Sequence, residues 1–512
     1  MKSFVIILIF LSAICINLLF AQNAFNLTIL HNNDIHGRFA EFDDGGFGCY
    51  KERCFGGVPR MLNVIREMRN DSKRNVLFLN AGDSFTGTPL FSHYKENITA
   101  DMMNLLQPDA MTLGNHEFDF GTPPLSSFLN QANFPIVVTN LDVADLPLDS
   151  GMRRVKSSII FEISGHKIGL VGYVTPTTAS QTHSEVIFLD EVSAVSQEVR
   201  KLRAAGIGII IALGHSGFEK DLEVARKCPG ITLIVGGHSH TLLHNGHLSG
   251  ESILSGYPHA VRSDSDGNVT LIVQAGRYGK FLGQLELSFN AAEQLTAWSG
   301  NTILLDGQQD DDALALVEAF AHPLREVEEA VVGRTIVHLD GHYKSCRFGE
   351  CNMGNLITDA ILDAYIASQH FSHSNNSWSD VVGVLLQSGS IRNSVEAGPV
   401  KVFNVKTILP YENTFVVVNV SGSTVRDALE YSVNGYNRIR GYGKFLQVSG
   451  LRIVYDLSHN SGDRVTLVEI LCSTCKVPHY EPLMPHKWYQ IIIPEFLRKG
   501  GDGFTQFQVF IS

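Results

Sequence analysis

Five short segments carry residues able to hold cations, and each follows an apolar, β-rich run. Asp34-Ile35-His36 follows Leu27 to Leu30, and Gly82-Asp83 follows Val76 to Leu79. Gly114-Asn115-His116-Glu117-Phe118-Asp119 follows Ala110 to Leu113, Gly214-His215 follows Ile207 to Leu213, and Gly236-Gly237-His238-Ser239-His240 follows Ile231 to Val235. In open α/β sheets, functional groups gather just beyond the carboxyl ends of strands, so five strand ends can present their imidazole, carboxylate and amide groups at one edge. The neighbouring glycines permit tight turns and close approach of backbone to a ligand. Any one of these motifs alone is more often a satisfied turn than a ligand; the ordered set is not accounted for that way. Asp34, His36, Asp83, Asn115, His215, His238 and His240 offer more donors than one ion needs, which predicts two divalent metal ions sharing a carboxylate. Nitrogen and oxygen donors without thiolate point to zinc first, then manganese or iron, ahead of magnesium or calcium. Two such ions, roughly 3.5–4 Å apart, are suited to in-line displacement at phosphorus.

The order DxH, GD, GNHE, GH, GHxH resembles the calcineurin-like metallophosphoesterases. The finer pattern GNHEFD and GGHSH with a downstream second domain resembles the 5′-nucleotidase family, which includes ecto-5′-nucleotidases and the secreted apyrases of blood-feeding arthropods. The similarity runs from about Leu27 to Phe504. It implies an α/β fold: an N-terminal metallophosphoesterase-type β-sandwich flanked by helices, a linker helix, and a C-terminal α/β nucleotide-binding domain. It also implies that Asp34, His36, Asp83 and His240 hold one ion, and that Asp83, Asn115, His215 and His238 hold the other. His116 and Asp119 resemble the family's catalytic dyad. In that role His116 neutralises charge growing on the phosphoryl oxygen or leaving group, while Asp119 fixes the imidazole tautomer. Arg38 either adds positive charge at the phosphates or is a plain surface arginine.

The resemblance extends to residues that choose the leaving group. Arg347, within Cys346-Arg347-Phe348-Gly349-Glu350-Cys351, and Arg392 match arginine positions that face the nucleotide; the guanidinium fork suits phosphate and ribose oxygens. Tyr411 and Phe496 match the two aromatic rings that sandwich the base, and Asp502 in Gly500-Gly501-Asp502-Gly503-Phe504 matches the aspartate that binds ribose hydroxyls. The segment Gln387-Ser388-Gly389-Ser390 departs from the asparagine followed by glycines of close relatives, which bears on selectivity for the base.

The positioning elements divide near residue 310. Before it, short apolar runs (Leu27–Leu30, Val76–Leu79, Ile136–Val138, Ile168–Val171, Ile207–Leu213, Ile231–Val235) alternate with polar helical stretches, predicting buried strands with covering helices. Leu285–Phe289 is expected to be the last strand. The expected organisation is a signal peptide over 1–21, a metallophosphoesterase domain over 22–309, a linker helix over 310–333 broken or kinked at Pro323, and a substrate-binding domain over 334–512.

Lys2, the apolar run Phe4–Phe20 and the small residue Ala21 form the pattern of a cleaved secretory signal. No later segment reads as a membrane anchor. Cys49 with Cys54, Cys346 with Cys351, and Cys472 with Cys475 are spaced as local disulfides of an oxidising compartment, leaving Cys228 as a buried thiol. These features predict a secreted, extracellular protein. A net charge of −12 argues against a nucleic acid polymer as partner. A small nucleotide (ATP, ADP or AMP) is the expected substrate. Apyrase activity, ATP and ADP to AMP, is slightly favoured over conversion of AMP to adenosine by the absent anchor and the GGHSH form. A different class of function is a platelet-surface partner blocked by the same scaffold; no RGD tripeptide supports it.

Overall fold

The computed structural model describes residues 25–43, 48–49, 53–147, 149–180, 186–265, 267–368, 378–411, 413–436 and 441–508. The expected signal peptide lies outside the described residues.

Runs such as Ile209-Ile210-Ile211-Ala212-Leu213 are buried at every position, as parallel strands covered on both faces require. The N-terminal unit is built from two sheets of this kind. One has the order Leu295–Leu304, Phe281–Phe289, Phe25–Asn32, Val76–Asn80, Ala110–Met111. The other has the order His259–Arg262, Val269–Val273, Leu233–Val235, Ile209–His215, His166–Val174, Ser158–Ile163. In the first sheet Phe25–Asn32, Val76–Asn80 and Ala110–Met111 run parallel and the other two pairs are antiparallel; in the second the three central pairs are parallel and the two outer ones antiparallel. Leu27, Ile29 and Leu79 of the first sheet share one hydrophobic cluster with Leu170, Leu233 and Leu271 of the second, so the sheets face each other as a sandwich. Helices Glu191–Ala204 and Phe218–Lys227 add Val195, Val199, Leu202, Val224 and Ala225 to that cluster. With parallel strands in both sheets, several carboxyl ends open on the same edge.

Three expectations are corrected. Ile136 and Val137 form only isolated bridges, to Met111 and Lys156, instead of a strand. Leu285–Phe289 is not the last strand: Leu295–Leu304 follows it antiparallel. That strand is largely exposed or half-buried and has no apolar run to announce it. The helix expected over 310–333 is instead a helix Asp311–Ala321, a single turn His322–Leu324, a short helix Arg325–Glu329 and a strand Val331–Thr335. Pro323 lacks the N–H that an unbroken helix needs, and the β-branched pair Val331-Val332 favours extended backbone. Asp310 caps the first helix by accepting from the Ala313 N–H (3.1 Å), pairs with Arg66, and donates its own N–H to Pro59 O. That half of the expected linker belongs to the N-terminal unit, and the chain divides at His322–Pro323.

The C-terminal unit has a sheet ordered Phe415–Ser421, Trp488–Pro494, Gly383–Gln387, Leu446–Ser449, and a three-stranded sheet Leu451–Tyr455, Val465–Leu471, Tyr480–Pro482. Helix Gly422–Ser432, capped by the Ser421 hydroxyl, packs Val425 and Leu429 against Val420, Ile491 and Ile493. Disulfides join Cys49 to Cys54, Cys346 to Cys351 and Cys472 to Cys475, and Cys228 is a buried free thiol. Among the described residues, no helix is long and apolar enough to cross a membrane.

The close approach of Gly172 to the Ile136–Val138 segment sets a test of this packing. A Cβ on Gly172 would lie 1.7 Å from Val137 O, a collision with backbone that no rotamer change relieves. Gly172→Ala is expected to destabilise the N-terminal unit by about 1–3 kcal/mol or more. Gly307→Ala, where a Cβ meets open space, is expected to leave thermal unfolding unchanged.

Candidate active site

The seven candidate ligands meet at the carboxyl edge of the sandwich. Asn32 and Asn80 close adjacent parallel strands and are linked by their side chains (2.9 Å), and Asn80 Oδ1 also accepts from the Gly82 N–H. This linkage turns the two loops inward together: Asp34 N–H donates to Gly82 O, and His36 N–H to Asp83 O, each at 2.9 Å. His215 ends its strand in the opposite sheet and reaches across, its Nδ1 2.6 Å from Ala81 O. His36 is held likewise, with Nδ1 3.2 Å from Thr86 O. In both rings the outer nitrogen faces a carbonyl and Nε2 points into the cluster, the arrangement that orients metal-ligating histidines.

Asp34 Oδ1 lies 3.2 Å from His240 Nε2, 3.8 Å from His36 Nε2 and 4.0 Å from His215 Nε2. Asp83 Oδ2 lies 3.0 Å from His215 Nε2, 3.8 Å from His36 Nε2 and 4.0 Å from His116 Nε2. His238 Nδ1 is 2.8 Å from Asn115 Oδ1. Three sets of donor atoms are each mutually close enough for one ion: Asp34, His36 and His240; Asp83, His215 and His238; His36, Asp83 and His116. Asp34 Oδ1 and His215 Nε2 are buried without a well-directed hydrogen bond. His36 Nε2 and His240 Nε2 face each other at 3.1 Å, where at most one proton fits between them. Inward-facing lone pairs with too few protons to bind them together suit a cation, and the donor set fits divalent ions. Asp34, His36, Asp83, His238 and His240 also adopt positive φ, between 52° and 71°, a region uncommon for residues other than glycine and enriched at functional sites.

The electrostatics follow from burying two carboxylates among imidazoles. Burial, reinforced by Asp83, raises Asp34 to about 6 despite His215. Burial also opposes ionisation of Asp83, but His215, His116 and His36 hold its carboxyl well below the usual range. His215 reaches about 10, because Asp83 and Asp34 outweigh the burial that disfavours its charge. His238 falls to about 4 through burial and the nearby His215. His116 and Asp119 stand beside this cluster, joined Nδ1 to Oδ2 at 2.8 Å, and the His116 N–H donates to Asp83 Oδ1 at 2.9 Å. Arg38 is 3 % exposed, with its guanidinium 3.4 Å over the Tyr278 ring. The alternative of a plain surface arginine is thereby excluded. Tyr278 and His36 meet edge to face, their ring centres 5.9 Å apart.

Two functional positions escaped the sequence. Glu117, 1 % exposed, accepts from the N–H groups of Gly114, Asp83, Ser84 and Phe85 at 2.6–3.1 Å. It thus binds the Asp83 loop to the Asn115-His116 loop. Burial and the Asp83 charge push it up to about 7 against His215 and the N–H groups of Gly114 and Asp83, which favour the carboxylate. Asn33 donates to Asp34 Oδ2 and to Gly276 O, each at 2.7 Å. Glu117 stood in plain sight within the GNHEFD motif, whereas nothing in the sequence marks Asn33.

In the C-terminal unit, the turn Ser388–Ser390 gathers most of the remaining candidates. Arg392 Nη1 donates to Gly389 O, and its guanidinium lies 5.5 Å from the Tyr411 ring centre. Asp502, at φ 53°, places Oδ2 3.6 Å from the position of a Cβ on either Gly389 or Gly443. Phe496 packs its ring on Gly501, and Arg347 lies against Gly441. Gln387 precedes the turn, 3 % exposed, and its Oε1 has no hydrogen-bond partner among the described residues. The Ser388 hydroxyl donates to Gly443 O at 3.1 Å.

A two-sheet α/β sandwich with such a donor edge, followed by a second α/β unit, defines a two-domain metallophosphoesterase. Residues 27–242 match the calcineurin-like phosphoesterase family and residues 331–509 the 5′-nucleotidase C-terminal domain. Protein 5NUC of Lutzomyia longipalpis is 40% identical over 95% of this chain and 87% of its own length; the 5′-nucleotidase of Bos taurus is 40% identical over 94% and 85%. The crystal structure of a 5′-nucleotidase precursor from Thermus thermophilus superposes with a TM-score of 0.84 at 34% identity, covering 95% of this chain and 92% of that one. The chain belongs to the 5′-nucleotidase family and is a nucleotide phosphohydrolase. Its phosphoesterase domain implies a dinuclear divalent metal centre.

Glu117→Gln replaces one accepting oxygen with a donor facing four N–H groups. The expected cost is about 1.5–3 kcal/mol, measured as a lower unfolding midpoint of the N-terminal unit and accompanied by reduced metal content.

Proposed function

We propose that this protein is an extracellular 5′-nucleotidase that releases phosphate from nucleoside monophosphates, AMP foremost, with two divalent ions, zinc by preference. The observation that carries the reading is the convergence of Asp34, His36, Asp83, Asn115, His215, His238 and His240 at one edge. The similarity, over 94% of this chain, to proteins called 5′-nucleotidase supports the choice of AMP over the apyrase reaction. Asp34, His36, Asp83 and His240 would hold one ion and Asp83, Asn115, His215 and His238 the other. When bound, the pair supplies a water of lowered pKa and charge for the attacking and leaving oxygens.

The chain's own groups do the rest. Asp119 accepts the Nδ1–H of His116, which fixes Nε2 as the nitrogen turned toward the cluster, 4.0 Å from Asp83 Oδ2. His116 is thus placed to stabilise charge on the phosphoryl oxygen or to protonate the leaving oxygen. Arg38, stacked on Tyr278, contributes fixed positive charge. Arg347 and Arg392 offer donors to phosphate and ribose, Tyr411 and Phe496 offer faces for the base, Asp502 accepts from ribose hydroxyls, and Gln387 brings an unpaired Oε1 to the same turn. Three local disulfides suit an oxidising setting. Asn26, Asn70, Asn97, Asn268 and Asn419 each open an Asn-X-Ser/Thr acceptor sequence and are exposed, which supports a glycosylated, secreted product.

Phosphate release from AMP and ADP, measured side by side, decides between the two nucleotide reactions: faster turnover of AMP is expected, and a strong excess with ADP would establish the apyrase reading instead. Stripping the metal should abolish turnover, and adding back zinc or manganese should restore it. His116→Ala should lower kcat by about 10²–10⁴-fold while two ions stay bound; loss of an ion in that variant would make His116 a ligand. Asp83→Asn should remove any inhibition of platelet aggregation together with turnover, whereas persistent inhibition would point to receptor blockade.

A further inference from the structure

The loop Gly236–Thr241 supplies one histidine to each proposed ion: His238 groups with Asp83 and His215, and His240 with Asp34 and His36. Both hold positive φ, 71° and 54°, so the loop needs outside support to keep this conformation. Much of that support comes from one side chain. Gln274 follows the strand Val269–Val273 and is fully buried. Its Nε2 donates to Gly237 O (3.3 Å), and its Oε1 accepts from Ser239 Oγ (3.1 Å) and from the Thr241 N–H (3.3 Å). Residues 237, 239 and 241 are therefore bound to one amide, while the two histidines between them turn the other way, into the cluster.

The amide is itself fixed from behind. Gln274 Nε2 also donates to Asp221 Oδ2 at 2.7 Å, and Tyr173 Oη donates to Asp221 Oδ1 at 2.6 Å. All three side chains are fully buried. A Cβ on Gly236 would lie 2.1 Å from Asp221 Oδ2 and 2.7 Å from Gln274 Nε2, so the loop rests directly on the pair. Ser239 Oγ adds a bond from the Phe218 N–H at 3.0 Å, at the start of the helix that carries Asp221. The donors and acceptors of the Gln274 amide are used, which leaves the group a single orientation.

We propose that Gln274, clamped by Asp221 and Tyr173, is a positioning residue that sets His238 and His240 together and so tunes both ion sites through one side chain. The inference rests on the two-ion reading above. Removing a ligand such as His240 should weaken one ion, whereas loosening the shared support should weaken both.

The test is a calorimetric titration of zinc into the metal-stripped full-length chain, comparing wild type, Gln274→Met, Ser239→Ala and His240→Ala. Gln274→Met keeps the volume while deleting the hydrogen bonds. Both binding steps are expected to weaken by about 10–100-fold, with kcat restored at raised zinc and KM for AMP then unchanged. His240→Ala should weaken one step only. An isotherm for Gln274→Met that matches wild type, or loses a single step, overturns the proposal. If Gln274→Met does not fold, Ser239→Ala, which cuts the loop's ties to Gln274 Oε1 and the Phe218 N–H, decides by the same measurement: weakening of both steps supports the proposal and an unchanged isotherm overturns it. A wild-type chain that binds no pair of ions overturns the two-ion reading itself, whatever the variants do.

Discussion

Two carboxylates, Asp34 and Asp83, sit almost wholly out of water at the edge where two sheets face each other. A buried charge persists only where positive or polar partners replace its lost hydration. Every part of the N-terminal unit near this edge answers that demand. Imidazoles from four loops crowd the two carboxylates, Asn33 and the His238 N–H bond Asp34 Oδ2, and the His116 N–H bonds Asp83 Oδ1. The site accordingly has the electrostatics of a cation receptacle. Its anionic centres are fixed, and His36 and His215 are turned nitrogen-inward by carbonyls behind them.

Such a cluster requires backbone that ordinary loops do not hold. Five of the seven candidate ligands occupy left-handed conformations, and their restraint comes from polar groups that never face the ions. Glu117 gathers four N–H groups from two loops, Asn80 bonds the strand end beside it, and Ala81 O steadies His215 from the opposite sheet. Parallel strands supply the coarse placement, and these buried hydrogen bonds supply the fine one. The division of labour explains why the fold tolerates short, irregular loops where precision matters most.

It also explains what could be seen in the sequence. Apolar runs ending in Asp, His or Gly-His were legible because a buried strand leaves an unbroken hydrophobic signature and a ligand leaves a rare residue type just after it. Leu295–Leu304 was missed because an exposed edge strand such as Thr296-Ala297-Trp298-Ser299 lacks that signature. The helix reading over 310–333 failed at its far end because helical spacing persisted past Pro323 into residues whose β-branched side chains prefer a strand. Asn33 and Asp221 carry no flag at all, and Glu117 is marked only by its place inside GNHEFD. A buried carboxylate or amide that supports a loop has no characteristic spacing, since its partners are backbone groups of residues distant in the chain.

The C-terminal unit was legible in a different way. Its candidates are common residue types, and only their resemblance to family positions singled them out. The structure gives that resemblance a physical frame in the turn Ser388–Ser390. Arg392 bonds Gly389 O, Asp502 approaches both Gly389 and Gly443, and the Ser388 hydroxyl bonds Gly443 O. Asparagine followed by glycines would leave that turn free of side chains. Here the Ser388 hydroxyl donates to the neighbouring loop, while Gln387 keeps a buried oxygen that no donor among the described residues reaches. An unpaired buried acceptor is costly in the free protein and favours a ligand that brings an N–H to it. On the proposed reading, the departure at these two positions would bear on selectivity for the base and not on the phosphorus chemistry.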